Sequence, residues 1–161
     1  EAIKKHPNVN ASWQGDKIKQ FGSVDIGLAV DLGNGLITPV VRNCANRGLV
    51  EIDRDLKALV EKAGSGQLKP EEYTGATFTI SNLGSFGMDE FTAIINPPGS
   101  AILAIGRTVK TPVVDEEGDI AVAQMMKMTL SCDHRVIDGA AGARFLAELA
   151  AMIEDPIRAL F

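Results

Sequence analysis

Histidine and cysteine are scarce in this sequence, with two of each among 161 residues. The thiols, Cys44 and Cys132, are read as reduced, unpaired, small apolar residues, as in a protein of a reducing compartment. No apolar run reaches the roughly 20 residues that span a bilayer. The opening EAIKKHPNVN lacks the apolar stretch of a signal peptide, and both absences point to an interior compartment. Basic charge is short as well: 16 Lys and Arg stand against 21 Asp and Glu, for a net charge of -5. Without a basic stripe, a nucleic-acid partner is disfavoured. Internal repeats, low-complexity segments, a phosphate loop and the strand–helix alternation of nucleotide-binding folds are all missing. What is present is 45% apolar content, enough for one domain with a real core.

Residue patterning gives a mixed set of elements. EAIKKHP is helix-forming until His6-Pro7 stops it, and nothing before Glu1 caps it, so the chain reads as cut into mid-helix. VDIGLAVDL and LITPVV predict a strand pair joined by the turn Gly33-Asn34-Gly35. Pro39 marks the second strand as an edge or irregular one. Leu49, Ile52, Leu56, Leu59 and Val60 recur at helical spacing and AGSG from Ala63 ends the pattern, which predicts an amphipathic helix. ATFTISNLG reads as a strand entering a turn and SAILAIGR as a buried strand. DIAVAQMMKMTLSCD reads as one long strand reached through the turn EEGD. A last helix is expected from about Gly139 to Glu154.

The chemistry concentrates in SCDHRVIDGAAG, from Ser131 onward. Alternation along a strand would put Ser131 and Asp133 on one face and Cys132 and His134 on the other. Asp138 falls where a carboxylate caps the helix that follows. By residue type alone, His134 is a turn residue, Asp138 a helix cap and Cys132 a buried small residue. An acyl-accepting thiol at Cys132 is the less economical reading. A metal site is not expected, because Cys132, His134 and Asp138 do not supply a tetrahedral ligand set.

A resemblance changes that balance. His134-Arg135-Val136-Ile137-Asp138-Gly139 fits the H-x-x-x-D-G signature of the dihydrolipoyl acyltransferases, the E2 cores of 2-oxo acid dehydrogenase complexes, and of chloramphenicol acetyltransferase. Asp133 extends the match to the D-H-R form of the E2 enzymes. TFTISNLGSFGMDEFTAIINPPGSAILAIGR, from Thr77 to Arg107, resembles the corresponding block of that family. LITPVVRNC and HPNVNASW resemble two more, so the likeness covers nearly the whole chain. It implies an α+β fold, a chloramphenicol-acetyltransferase-like mixed β-sheet with packed helices, assembled as a trimer. Residues 1–161 then form one acyltransferase catalytic domain, incomplete at the N-terminus and without lipoyl and partner-binding domains.

The resemblance also assigns roles. His134 becomes the general base that takes the thiol proton of coenzyme A or dihydrolipoamide, a task suited to imidazole, whose ordinary pKa lies near ~6.5. Ser81 becomes the hydroxyl that donates to the oxyanion; by residue type it is a turn-forming serine ahead of Asn82 and Gly84. Asp138 holds the loop that presents His134, and Asn96 in IINPPG is a candidate substrate contact, although Asn before Pro-Pro also makes an ordinary turn. Coenzyme A or acetyl-CoA and lipoamide are implied as substrates, with no metal. The family builds its site between neighbouring subunits of a homotrimer. Its apolar C-terminus, here Leu160 and Phe161, joins trimers into a cubic or dodecahedral core, to which lipoyl domains and the E1 and E3 components attach through other domains of the parent chain. SNLGSFGMDEFTAIINPP is similar to the acetyl-transferring, pyruvate-type members, found in the bacterial cytoplasm or the mitochondrial matrix. The alternatives are a scaffold core that assembles without turnover, and a small-molecule acetyltransferase of the chloramphenicol type. Neither membrane nor nucleic acid is an expected partner.

Overall fold

The structure, a computed structural model, describes residues 1–33 and 35–159. Pro7 ends the first helix as expected: α1 (Ala2–Lys5) passes into a single 3-10 turn at Pro7–Val9. Strands β1 (Ala11–Trp13) and β2 (Ile18–Gln20) then form a short antiparallel pair that the residue pattern did not announce.

The expected strand pair is present in interrupted form. It comprises β3 (Ile26–Leu28), β4 (Val30–Asp31), β5 (Leu36–Ile37) and β6 (Val40–Val41), with β3 antiparallel to β6 and β4 antiparallel to β5. Pro39 sits in the break before β6, an edge strand of the main sheet, where a residue without an N–H costs least. Asn34, the centre of the expected turn, lies outside the described residues. Helix α2 (Leu49–Gly64) follows, with Glu51 accepting a hydrogen bond from the Gly48 N–H at 3.2 Å. Its Ile52, Leu56 and Leu59 are half-buried, whereas Leu49 and Val60 face solvent. Periodicity registers residue type and not how much neighbouring surface a helix meets. A short α3 (Pro70–Tyr73) connects to β7 (Phe78–Asn82) and the buried β8 (Ala101–Ile105).

One expectation is corrected here. The run from Asp119 to Asp133 is two strands, β10 (Ile120–Met125) and β11 (Met128–Cys132). The first pairs with β9 (Val109–Val114) in a hairpin across Asp115–Asp119, and the second joins the main sheet beside β8. Between them the Lys127 carbonyl accepts the Gly106 N–H at 3.0 Å. The final helix, α4, runs Gly139–Glu154 as expected.

The main sheet has the order β11-β8-β7-β3-β6, with β7 parallel to β3 and β8 and the outer pairs antiparallel. The fold is therefore α+β. Side chains alternate across this sheet, and the two faces differ in kind. Ile26, Phe78, Ile80, Leu103 and Leu130 pack under α4 with Ala141, Phe145 and Met152. Phe145 is fully buried, its ring 5.7 Å from that of Phe78, which contributes roughly 1.5–3 kcal/mol. The opposite face carries small or hydroxyl-bearing residues, Gly27, Thr79, Ser81, Ala104 and Ser131, around the single large apolar Ile102.

The β7–β8 connection lies over that second face, and two glycines let it approach. A Cβ on Gly99 would stand 2.8 Å from the Thr77 carbonyl oxygen, and one on Gly106 would overlap the carbonyl oxygen of Asp89. Backbone cannot yield to backbone as a flexible side chain would, so both positions exclude larger residues. Between these pins, residues 91–96 roof a cavity.

Candidate active site

His134 stands exposed in the turn that leaves β11. Strand alternation ends at Cys132, because the Asp133 carbonyl accepts the N–H groups of Val136 and Ile137, both at 2.9 Å. The turn, not the strand, therefore sets the direction of His134. Asp133 is anchored by its own N–H, which donates to Ser100 O at 2.8 Å, and the buried Ser100 hydroxyl donates to Ala11 O at 2.8 Å. Across His134, Arg135 donates from Nε to Asp133 Oδ1 at 2.9 Å and from Nη2 to Oδ2 at 2.6 Å. The same guanidinium lies 5.5 Å from the centre of the Trp13 ring, within cation–π range. The Arg135 side chain holds the Asp133 carboxyl below the usual aspartate range, against a smaller opposing effect of burial.

Asp138 caps α4, its Oδ1 accepting the Ala141 N–H at 2.9 Å. That bond is the largest reason its carboxyl titrates below the ordinary value. An ionised cap of this kind suits holding the turn and the helix together, and not exchanging protons. Cys132 packs into the core with its sulfur beside Gly142 of α4. Burial pushes its thiol pKa up, which argues against a thiolate nucleophile there.

Ser81 lies elsewhere. It lines a cavity of about 400 Å³ together with Asn96, Thr79, Phe91, Ile95 and Ile102. Two of the residues singled out in the sequence, Ser81 and Asn96, are thus brought to one cavity. A second cavity, about 530 Å³, adjoins the His134 turn and is walled by Trp13, Ile95, Pro97, Pro98, Asp133 and Arg135. Ile95 belongs to both walls.

Within one chain, His134 and Ser81 do not meet. Ser81 is in register with Ala104, and Ala104 with Thr129, so His134 lies two strands across and five residues further along. At about 4.8 Å per strand and 3.3 Å per residue that separation is roughly 15–20 Å. Leu160 and Phe161, the expected inter-trimer contact, lie outside the described residues.

Two features escaped the reading of the sequence. The hydroxyl residues Thr77, Thr79 and Ser81 repeat with a period of two, a strand-face signal visible in TFTISN. The Arg135–Asp133 pairing has the D-x-R spacing as its local clue, but its third member, Trp13, is more than a hundred residues away.

A chloramphenicol acetyltransferase shares this fold: it is 15% identical with a TM-score of 0.54, over 89% of this chain and 68% of that one. The whole chain, residues 1–161, belongs to the family described as 2-oxoacid dehydrogenases acyltransferase (catalytic domain). It is 53% identical over 158 residues to the mitochondrial dihydrolipoyllysine-residue acetyltransferase component of the pyruvate dehydrogenase complex of Schizosaccharomyces pombe, covering 97% of this chain and 33% of that protein. The counterpart from Rickettsia conorii is 46% identical, covering 98% and 38%. Mouse mitochondrial pyruvate dehydrogenase protein X component is also 46% identical, covering 97% and 32%. Among solved structures, the cubic core of the pyruvate dehydrogenase multienzyme complex superposes with a TM-score of 0.94 at 37% identity, over 99% of this chain and 66% of that one. The Azotobacter vinelandii dihydrolipoamide acetyltransferase, in which a serine, a histidine and an asparagine have been investigated for their catalytic role, gives 0.93 at 37% identity over the same shares. The chain spans about a third of the length of the curated relatives it matches.

Proposed function

We propose that this chain is an acetyl-transfer unit of a pyruvate dehydrogenase-type complex, moving an acetyl group between the thiols of dihydrolipoamide and coenzyme A. The observation that carries the reading is the division of the site: a base on a braced, exposed turn and a hydroxyl in a half-apolar cavity, roughly 15–20 Å apart in one chain. Such a site closes when the His134 turn of one copy meets the Ser81 cavity of another. A homotrimer in which every interface repeats the same contact does this three times over. The Azotobacter enzyme lends support, since its investigated asparagine follows the histidine by four residues, the spacing at which Asp138 follows His134.

In this mechanism His134 takes the proton from the incoming thiol, and the thiolate sulfur attacks the thioester carbonyl carbon. A carbon–sulfur bond forms as the carbonyl π pair moves onto oxygen, where the Ser81 hydroxyl donates to it. Collapse of the tetrahedral species breaks the bond to the departing sulfur, which recovers the proton from the imidazolium. Asp138 acts through the turn as a positioning residue, and Asn96 lines the path to Ser81. No covalent acyl-enzyme is needed.

We assign the assembly to trimers joined at Leu160 and Phe161 into a cubic or dodecahedral core, with lipoyl domains and E1 and E3 components as partners. The compartment is the mitochondrial matrix or a bacterial cytoplasm, in keeping with relatives of both origins. A second reading, a scaffold that assembles without turnover, is favoured by the 46% identity to the protein X component, which is not named an acetyltransferase and matches as well as the Rickettsia conorii counterpart does. Incubating the assembled chain with acetyl-CoA and dihydrolipoamide separates the two. Formation of S-acetyl-dihydrolipoamide by a particle of trimer mass or larger supports the enzyme, and assembly without product supports the scaffold.

A further inference from the structure

The hairpin of β1 and β2 brings Trp13, the single tryptophan of the chain, to the turn that presents His134, yet it forms a two-stranded sheet of its own. Its internal bonds fall at alternate positions. The Phe21 N–H donates to Asn10 O and the Gln14 N–H to Lys17 O, both at 2.9 Å, so Ala11, opposite Gln20, occupies a position between bonded pairs. At such a position of an antiparallel pair the carbonyl points away from the partner strand. Ala11 is 1% exposed, and a buried carbonyl turned outward needs a donor from elsewhere in the protein.

Ser100 supplies that donor. Its hydroxyl, on a residue 2% exposed, donates to Ala11 O at 2.8 Å, and its carbonyl accepts the Asp133 N–H at the same distance. Among the described residues, this hydroxyl makes the one hydrogen bond that joins residues 11–20 to the rest of the chain. Ser100 is itself firmly placed: Ala101 after it pairs with Cys132, and Gly99 before it abuts the Thr77 carbonyl.

A closed circuit of contacts results. From Ala11 the strand runs two residues to Trp13, whose ring centre lies 5.5 Å from the Arg135 guanidinium. Arg135 grips the Asp133 carboxylate, the Asp133 N–H hangs on Ser100, and Ser100 returns to Ala11. His134 is the residue that the circuit straddles. An imidazole that takes a proton from a thiol must lie within hydrogen-bond reach of it, and a misplacement of about 1 Å costs on the order of 10²-fold in rate. A hairpin tied to the frame by one bond is where such play would enter.

We propose that Ser100 is a positioning residue for acyl transfer, its hydroxyl fixing β1 so that Trp13 backs Arg135 and the turn holds His134 on one bearing. This rests on the acyl-transfer reading and adds to it a residue that acts through His134.

Ser100→Ala removes the hydroxyl and keeps the backbone bond to Asp133. In the assembled chain it should lower kcat roughly 10-fold, with KM for coenzyme A and for dihydrolipoamide unchanged. Acrylamide should quench Trp13 more readily than in wild type, because the sole tryptophan reports on the hairpin directly. Arg135→Met opens the circuit from its other side, so adding Ser100→Ala to it should lower kcat by less than about 2-fold further, whereas independent effects would multiply. A hydroxyl that only stabilised the fold would lower the melting temperature and leave kcat and Trp13 quenching at wild-type values. That outcome overturns the proposal, and so does a double variant whose loss is the product of the two single losses. If Ser100→Ala does not fold, Trp13→Leu opens the circuit within β1: a loss of roughly 10-fold in kcat supports the proposal, and wild-type kcat overturns it. A wild type that transfers acetyl no faster than Ser100→Ala defeats this inference alone; a wild type that transfers none defeats the acyl-transfer reading and this role with it.

Discussion

Arg135 grips the carboxylate of Asp133 with two nitrogens, at 2.9 Å and 2.6 Å, across the single residue His134 that separates them. The arginine is largely exposed, and exposed ion pairs contribute little to stability. The value of this pair lies in geometry: together with the Trp13 ring it closes a brace around the turn that presents the histidine.

Replacing Arg135 by methionine should therefore lower kcat roughly 10-fold or more, the scale of loss when a reacting group is misplaced by a fraction of an ångström to an ångström. KM for both thiols and the melting temperature should hold. Arg135→Lys should recover little, since an ammonium cannot reproduce the planar fork that grips Asp133 with two nitrogens. Steady-state kinetics in both thiols check this. Unchanged kcat in Arg135→Met removes the brace from the mechanism.

His134→Ala should abolish transfer without disturbing assembly. Ser81→Ala should lower kcat by about 10²–10³ while KM changes little, because an oxyanion donor acts in the transition state. Each variant alone should be inactive or nearly so, yet co-assembling the two should restore activity. With equal mixing, about one interface in four pairs an intact His134 with an intact Ser81 from different chains. Recovery near a quarter of wild-type turnover is the expected reading, and no recovery at all would place both residues' action within one chain.

Gly106→Ala drives a Cβ into the Asp89 carbonyl oxygen. The cost should be on the order of 1–3 kcal/mol, as for overpacking elsewhere. The same change should reduce transfer by shifting the roof of the Ser81 cavity. Gly22→Ala is the control, since a Cβ there meets no heavy atom within 4 Å. Denaturation of both variants beside wild type tests the pair, and equal stability of the two contradicts the packing argument.

Asp25 sets an expectation for acid. Burial alone would raise its carboxyl pKa, but the Asn43 N–H, the Ser23 hydroxyl and the Arg42 guanidinium together outweigh burial and lower it. A folded pKa below the unfolded value means the unfolded chain binds more protons in acid. The resulting stability is complete above the unfolded value of ~4 and is lost as pH falls through the folded one. Asp25→Asn should accordingly lower stability at neutral pH and flatten its decline below about pH 4. Denaturant titrations across that range measure both effects, and an acid slope identical to wild type assigns the decline to other carboxylates.

Deleting Leu160 and Phe161 should leave trimers and dissolve larger particles, because each such side chain contributes roughly 1.5–3 kcal/mol when buried and a core repeats the joint at every trimer contact. Sedimentation reads the outcome directly. Particles of unchanged size would mean that other residues join the trimers.

Local chemistry was enough to locate several elements. Asp138 caps α4, the alanine-rich run that follows favours helix, and Pro156 lies just beyond its end, so the bounds of that helix are written in neighbouring residues. Pro39 announced an irregular strand for the same kind of reason, because the missing N–H belongs to the residue itself. The H-x-x-x-D-G signature likewise placed Asp138 at the start of that helix, where it caps α4 four residues after His134.

Partners that lie far apart in the chain left no such trace. The break at Met126–Lys127 contains neither glycine nor proline, and it exists because β10 pairs with β9 while β11 must pair with β8. Nothing in TFTISN says that the Thr79 hydroxyl will find no partner, since that depends on what Gly27 and Ile102 beside it fail to offer. The distance between His134 and Ser81 follows from strand order and register alone. Residue type and short-range spacing determined which groups could do chemistry here. Only the tertiary structure decided which of them share a cavity, because backbone pairing between distant segments sets that, and no residue carries its pairing partner in its own neighbourhood.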